Sequence, residues 1–301
     1  MNKNKKRLII LLAVTTFLSL VSCKKDSKNL DSSKNKSKQD VNINNIVNKD
    51  GNDIETRYNT PKGYKRVITK DNSFASFLRN EELKPYGEKS YYYNGREKKS
   101  DGVYDSVFNV DLEGKNLLHC ADACYKFRGD YLYKQKKYSD IKFRFVSGGI
   151  ADFEKYTRGY RVDPESGEYF LMGEPSADQN VYNKFMDTVY GYSGTLSLVK
   201  DTRPISFKDM EIGDMFVRGG TPGTKRVGHA VMIIDMATDK KGEKIFMLAQ
   251  SYMPAQQPQV LINPLNKELS PWYKLKEVES SGKLKTPQWT FELNELKRFN
   301  E

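Results

Sequence analysis

Cysteine and histidine, a nucleophile and a base that can activate it, are both scarce in this chain. Its 301 residues include three cysteines and two histidines. A cysteine can attack a carbonyl carbon once an imidazole takes its proton, and the imidazole can then protonate the leaving amine. His229 stands at the head of the apolar run HAVMIID. A histidine in that position either takes part in such chemistry or is a hydrogen-bonded residue of the core.

Cys120 is the candidate nucleophile because of its predicted place at the start of a helix. The segment NLLHCADACYKF has helical spacing, and its helix should begin between Asn116 and Cys120. A thiol in the first turn lies near the positive end of the helix dipole, which predicts a lowered pKa. The free backbone amides of that turn could also hold an oxyanion. Cys124 lies one turn deeper and is expected in the core.

Cys120 and Cys124 are not expected to form a disulfide. Residues four apart on a helix have near-parallel side-chain directions, which is a poor geometry for an S–S bond. Two unpaired thiols are unusual in an exported protein, whose compartment favours disulfides. Either at least one thiol is retained for chemistry, or both are buried as small hydrophobic side chains.

Polar residues beside Cys120 are candidates for supporting roles. His119 and Asn116 could add donors to the oxyanion site formed by the backbone amides. Asp122 and Lys126 have the i, i+4 spacing of a helical ion pair. This spacing predicts that Asp122 and Lys126 form a solvated ion pair or support the site, and that neither takes part in the reaction itself.

Three strands are predicted around the histidine. DMFV, HAVMIID and KIFMLAQSY are separated by glycine-rich or polar turns, which indicates antiparallel strands. Gln250, on the strand after His229, could orient the imidazole, or it could make a capping or turn hydrogen bond near Ser251. Asp235 is a weaker candidate because it lies six residues along the strand from His229, about 20 Å away.

The N-terminal residues predict export and lipidation. Residues 1–22 combine a lysine-rich start, a short apolar run and a small-residue cut site, as in a secretory signal peptide. The tetrad LVSC, ending at Cys23, resembles the lipobox of bacterial lipoproteins, in which the cysteine is lipidated; a cleaved signal peptide without lipid is the alternative. We therefore expect a membrane anchor at Cys23 and a lipoprotein of the cell envelope, on the outer membrane facing the periplasm or the cell surface.

The domain organisation follows from composition. Residues 23–58 are rich in Lys, Ser, Asn and Asp and predict a disordered, lipidated tether. Residues 59–301 are long enough for one core and predict a single α+β domain. The first 70 residues carry 16 Lys and Arg against 6 Asp and Glu, so nearly all of the formal charge of +11 lies there. This distribution argues against a nucleic-acid partner, which would need a basic patch on the folded domain.

Two resemblances add to this interpretation. The IGD strand followed by GHAVMIID looks like the histidine half of bacterial cell-wall cysteine hydrolases, which implies a papain-like arrangement with Cys on an N-terminal helix and His on an antiparallel sheet. The segments HCADACYKFRGDYLY, GYSGTLSLVK, IGDMFVRGG, LAQSYMPAQ and SPWY resemble the bacterial lipoproteins of the domain of unknown function 4846 family. That second resemblance implies no activity.

Two classes of function remain open from the sequence. One is a cysteine amidase or peptidase acting on peptide or amide bonds of the cell envelope, with Cys120 as nucleophile, His229 as base and Gln250 as orienting residue. The other is a non-catalytic envelope lipoprotein that binds a peptide, a glycan or a protein partner in the same cleft. We expect no cofactor, no metal ion and a monomer.

Overall fold

A computed structural model describes residues 45–99, 102–221, 223–224 and 226–300 of the chain. The predicted signal peptide, the anchor at Cys23 and most of the predicted tether lie outside the described residues. No helix in the described ranges is long and apolar enough to cross a membrane.

The helices of the described residues are short except for two. The longer ones are α3, which carries Cys120 at its first position, and α5. The bounds are α1 Ile54–Arg57, α2 Phe74–Arg79, α3 Cys120–Lys134, α4 Phe153–Thr157, α5 Gln179–Tyr192, α6 Thr195–Lys200 and α7 Leu275–Ser281.

The strands build one large antiparallel sheet and three small hairpins. Their bounds are β1 Tyr64–Arg66, β2 Tyr104–Val107, β3 Lys142–Arg144, β4 Ile150–Asp152, β5 Tyr160–Val162, β6 Tyr169–Leu171, β7 Thr202–Pro204, β8 Met215–Arg218, β9 His229–Asp239, β10 Lys244–Gln250, β11 Gln259–Leu261, β12 Tyr273–Lys274, β13 Lys283–Lys285, β14 Thr290–Glu292 and β15 Leu296–Phe299. The large sheet has nine strands in the order β2-β11-β10-β9-β8-β15-β7, with β1 beside β9 and β12 beside β10. The mixed α+β class predicted from the sequence is confirmed.

The long strand β9 lies at the centre of this sheet. It pairs with β8 on one side and with β10 on the other, both antiparallel, so the predicted three strands are present. Residues 229–237 of β9 are all buried, which agrees with its uninterrupted apolar sequence. Helix α3 packs against β9. The element with Cys120 and the element with His229 therefore share one interface of the core.

The start of α3 is fixed by its own sequence. His119 has an extended backbone and precedes the first helical residue, Cys120. The side chain of Asp122 accepts a hydrogen bond from the His119 backbone amide at 2.8 Å, which closes the first turn. The helix begins within the predicted range, and Cys120 lies in its first turn.

The predicted boundary between tether and domain at residue 58 is wrong. Ile46, Ile54 and Tyr58 are buried in the core, and Arg57 is 1% exposed. The Arg57 guanidinium donates to Gly51 O and to Ser106 Oγ, which ties this segment to the sheet. Residues 45–58 therefore belong to the folded domain, although their polar composition resembles that of the preceding segment.

Candidate functional site

The Cys120 thiol lies against the strand that carries His229. Cys120 is partly exposed, and the backbone amides of Ala230, Ala121 and Cys120 lie near enough to its sulfur to favour the thiolate. Ala230 directly follows His229 in β9. The fold thus places a thiol at a helix start beside the backbone of the histidine strand, more than a hundred residues away in sequence.

His229 is held by a chain of two glutamines. Its Nε2 lies 2.9 Å from Gln250 Oε1, and Gln250 Nε2 donates to Gln288 Oε1 at 2.7 Å. With the Gln250 nitrogen directed at Gln288, its oxygen faces Nε2 of His229, which is then the donor. The proton of the neutral ring is therefore on Nε2, and Nδ1 keeps the lone pair that a base needs.

The imidazole lies inside an aromatic enclosure. Its ring centroid is 4.9 Å from those of Tyr252 and Trp289 and 6.0 Å from that of Phe291. His229 is only 2% exposed. Burial lowers the pKa of His229 to about 4, the hydrogen bond with Gln250 opposes this in part, and the charge of Lys98 lowers the pKa further. The ring is therefore neutral at pH 7.

The predicted lowering of the Cys120 pKa is wrong in direction. Burial, with a smaller contribution from the Asp122 carboxylate, raises the pKa of the Cys120 thiol to about 11. The backbone amides of Ala230, Ala121 and Cys120 lower this pKa but are outweighed, because loss of hydration penalises the thiolate more. In the free protein the pair is thus a neutral thiol and a neutral imidazole. Cys124 is in the core as expected, and both thiols are free.

Asn116 and His119 connect the segment before Cys120 to the chain after Gln250. Asn116 Oδ1 accepts from the Ala255 amide at 2.9 Å and lies 3.2 Å from His119 Nε2. Ser251 Oγ lies 3.0 Å from Leu118 O, so the residue after Gln250 also contacts the segment before Cys120. These contacts set the spacing between the thiol and the end of β10.

The predicted pair between Asp122 and Lys126 is wrong. Lys126 pairs with Asp130 at 2.7 Å, whereas Asp122 turns inward and is 2% exposed. Burial raises the pKa of Asp122 well above its usual range. One of its oxygens caps the His119 amide, and the other, Oδ1, is buried without a hydrogen-bond partner in the described part of the chain. Its observed contact is the cap that begins α3.

Asp235, the weaker candidate for orienting the imidazole, serves the core. Its two oxygens accept from Arg66 Nε at 2.7 Å and from Arg79 Nε at 2.6 Å. Both guanidinium groups come from the N-terminal part of the domain. This buried cluster ties β1 and α2 to the sheet, and its carboxylate is already fully engaged.

Gly228 leaves no room for a side chain before His229. A Cβ atom there would lie 2.1 Å from Thr195 Oγ1, 2.5 Å from Arg218 O and 2.7 Å from Gly220 N. The backbone of the preceding strand therefore approaches that of residue 228 at the point where β9 begins. Packing therefore requires a glycine at residue 228. This close approach also sets the position from which the His229 imidazole projects.

Sequence reasoning did not identify Lys98, Gln288 or Trp289 as parts of the site. Gln288 and Trp289 lie next to each other between β13 and β14, far along the chain from Cys120. Lys98 stands in a run of charged residues, REKKS, which is typical of a solvated surface. No spacing signal singles these residues out, because only tertiary packing brings them to His229.

Two other features are separate from this site. In the part of the chain that the structure describes, no three His, Cys, Asp or Glu side chains are grouped to hold a metal ion. A cavity of about 590 Å³ lies between α3, α5 and residues 109–118, but none of Cys120, His229 and Gln250 lines it.

Comparison with known proteins gives one match. The family model described as "Domain of unknown function (4846)" matches residues 54–298, which includes every residue of the site. No curated protein and no solved structure matches the chain.

Proposed function

Because the chain belongs to the family of the domain of unknown function 4846, whose description names no activity, we propose a function from the site itself. The protein is an envelope-anchored cysteine amidase or peptidase with a papain-like arrangement. Its substrates are peptide or amide bonds of the cell envelope.

One observation carries this proposal. Gln250 Oε1 faces Nε2 of His229, an arrangement that leaves Nδ1 to act as the base, and the backbone of the residue after His229 lies beside the Cys120 sulfur. A nucleophile, a base and a group that orients the base are the three parts a thiol hydrolase needs. In this chain they lie on a helix start and two neighbouring strands.

The reaction follows from the neutral state of both groups. Since the thiol keeps its proton at pH 7, His229 Nδ1 takes that proton as the sulfur attacks the carbonyl carbon. The S–C bond forms, and the oxyanion is held by the backbone amides at the start of α3. The imidazolium then protonates the leaving amine as the C–N bond breaks, and water hydrolyses the resulting thioester to release the acid and restore the thiol.

Gln250 contributes to the charged stage of this cycle. When His229 becomes an imidazolium, both ring nitrogens are donors, and Gln250 Oε1 accepts from Nε2. The same contact prevents the ring from turning. Tyr252 and Trp289 also restrict the ring by packing beside it.

The envelope location is part of the proposal and depends on the N-terminal sequence alone. Cys23 lies in LVSC, and a diacylated cysteine gives stable membrane anchoring. A Cys23→Ser variant should move from the membrane fraction to the soluble fraction of cells, with no effect on the fold of residues 45–300. Retention of that variant in the membrane would contradict a lipid anchor at this residue.

A second candidate is a non-catalytic envelope lipoprotein that binds a peptide, a glycan or a protein partner at the same place. The observation that favours it is the raised pKa of Cys120, about 11, because a resting thiolate is absent at pH 7. The two candidates differ in turnover, not in location.

The deciding experiment measures release of fragments from purified cell-wall material by mass spectrometry. The wild-type chain should release new peptide ends, and Cys120→Ala should release none. Cys124→Ala is the matched control, because it removes the neighbouring thiol, which is buried in the core. Fragment release that survives in Cys120→Ala would rule out the thiol hydrolase, and binding without release would favour the second candidate.

A further inference from the structure

Lys98 is a buried cation close to the proposed catalytic pair. It is 4% exposed, and its Nζ donates to Gln259 Oε1 at 3.2 Å. No carboxylate of the described residues lies within 4.0 Å of this ammonium group. An ammonium group out of water is costly to fold unless an anion compensates it.

Two contacts place the Lys98 ammonium group beside the site. Gln259, its hydrogen-bond acceptor, is the direct antiparallel partner of Gln250 in the β10–β11 register. Its Nζ also lies 5.8 Å from the centroid of the Tyr252 ring, which is 4.9 Å from that of His229. The distance from the Lys98 ammonium group to the centre of the imidazole ring is therefore at most the sum of these two distances. That distance is spanned by one to three residues of an extended peptide.

The Lys98 ammonium group has more N–H donors than the hydrogen bond to Gln259 uses. An ammonium group has three N–H donors, and Gln259 Oε1 accepts one of them. The amide nitrogen of Gln259 donates to Gln257 O at 3.2 Å, and because a carbonyl oxygen can only accept, the amide oxygen is fixed toward Lys98. Burial lowers the pKa of Lys98 to about 8, so the group is still mostly charged at pH 7. In the described part of the chain, Gln259 is the one hydrogen-bond acceptor recorded for this ammonium group.

We propose that Lys98 binds a substrate carboxylate next to the scissile bond. The inference rests on the proposed hydrolase site and adds a substrate class: peptides with a carboxylate one to three residues from the carbonyl that Cys120 attacks. Two sources supply that chemistry, the C-terminal carboxylate of a short peptide and the side chain of an acidic residue. Tyr252, which is partly exposed and lies beside both Lys98 and His229, borders the path between the two groups.

The test measures binding rather than turnover, so that it stands apart from the hydrolase itself. Calorimetric titration of the full Cys120→Ala chain compares acetyl-dialanine with its C-terminal carboxamide, each in the L,L and the D,D form. A second pair, acetyl-glutamyl-alaninamide and acetyl-glutaminyl-alaninamide, tests an acidic side chain as the source. We expect at least one carboxylate probe to bind about tenfold or more tighter than its uncharged partner.

Lys98 variants decide whether this residue is responsible. Lys98→Met in the Cys120→Ala chain should abolish the preference for the carboxylate, and Lys98→Arg should keep part of it. Lys99→Met is the matched control, because Lys99 is the exposed neighbour and should leave the preference unchanged. Since Lys98→Met removes a buried charge, its thermal unfolding temperature should be equal to or higher than that of the parent.

Three results would overturn the inference. They are equal binding or no binding of all acid and amide partners, a carboxylate preference that survives in Lys98→Met, and tighter carboxylate binding in Asp101→Asn. The last would show that Asp101, which lies outside the described residues, already occupies the lysine. Carboxylate-selective binding without release of cell-wall fragments would reject the hydrolase and retain Lys98 as the residue that binds a ligand carboxylate.

Discussion

His229 and Gln250 are joined by a hydrogen bond of 2.9 Å between Nε2 and Oε1, from the first residue of β9 to the last residue of β10. With Gln288 accepting from the nitrogen end of the Gln250 amide, the oxygen end faces Nε2 of His229. A histidine oriented this way presents Nδ1 as a base. The proposed base role of His229 therefore depends on this contact, and variants of Gln250 test it.

Replacement of Gln250 tests this orienting role. Gln250→Leu removes the acceptor, and we expect kcat for fragment release to fall about 100-fold, because the imidazolium loses its partner and the ring can turn. Gln250→Glu should instead move the acid limb of the pH–rate profile upward from about pH 4, since a carboxylate raises the pKa of His229.

A purely structural role for Gln250 would give a different pattern. Both variants would then lower the unfolding temperature and leave the pH–rate profile of the remaining activity unchanged. Gln288→Ala is the matched control, because Gln288 is exposed and contacts only the far end of the Gln250 amide. We expect it to reduce kcat by less than Gln250→Leu does.

The burial of His229 predicts a stability that depends on pH. The folded pKa of about 4 lies below the ordinary value of 6.5, so the unfolded chain binds the proton more readily. The stability that comes from burying the neutral imidazole is fully present above pH 6.5 and is lost as the pH falls toward 4. Over that range the free energy of unfolding should decrease by about 3 kcal/mol. Denaturant titrations at several pH values should show this slope.

Comparison between variants isolates the His229 contribution. His229→Gln should flatten the dependence of the unfolding free energy on pH between pH 6.5 and 4. His119→Gln should leave most of that dependence, because burial lowers the pKa of His119 but encloses its ring less fully. An unchanged slope in His229→Gln would mean that other groups produce the acid sensitivity.

The close packing around Gly228 predicts that a single added methyl group is strongly destabilising. Gly228→Ala places a Cβ atom against Arg218 O and Gly220 N, both of which are backbone atoms. We expect a loss of about 2–3 kcal/mol in the free energy of unfolding, or displacement of the start of β9 with loss of activity. Gly191→Ala in α5 is the matched control: its Cβ would meet no atom within 4 Å, and it should stabilise by up to about 1 kcal/mol. Equal stability of the two variants would contradict the close approach.

The elements that carry the site were predictable from local patterns. The turn from polar to apolar residues before Cys120 marks the start of α3, and the uninterrupted apolar run after His229 marks a strand covered on both faces. Gln250 could be proposed because the polar turn ATDKKGEK indicates a hairpin, which returns the chain alongside His229. These inferences use only periodicity and turn chemistry.

The electrostatics of the site were not predictable in this way. The pKa of Cys120 depends on how far β9 and its neighbours exclude water from the sulfur, and helix position alone gave the wrong sign. The inward turn of Asp122 and the approach of Lys98 and Trp289 likewise depend on residues distant in sequence. Local patterns describe elements, whereas burial of a charge is a property of the packed domain.

The most direct test of whether the thiol and the imidazole act together is acyl transfer from p-nitrophenyl acetate to Cys120. Intact-mass spectrometry measures the rate of this acetylation at several pH values. The account predicts acetylation of Cys120 in the wild-type chain at pH 7 and a rate about 100-fold lower in His229→Ala. That difference should narrow as the pH rises toward the thiol pKa of about 11, because the thiolate then forms without a base. Equal rates in the two chains at pH 7, or acetylation that does not depend on Cys120, would contradict it.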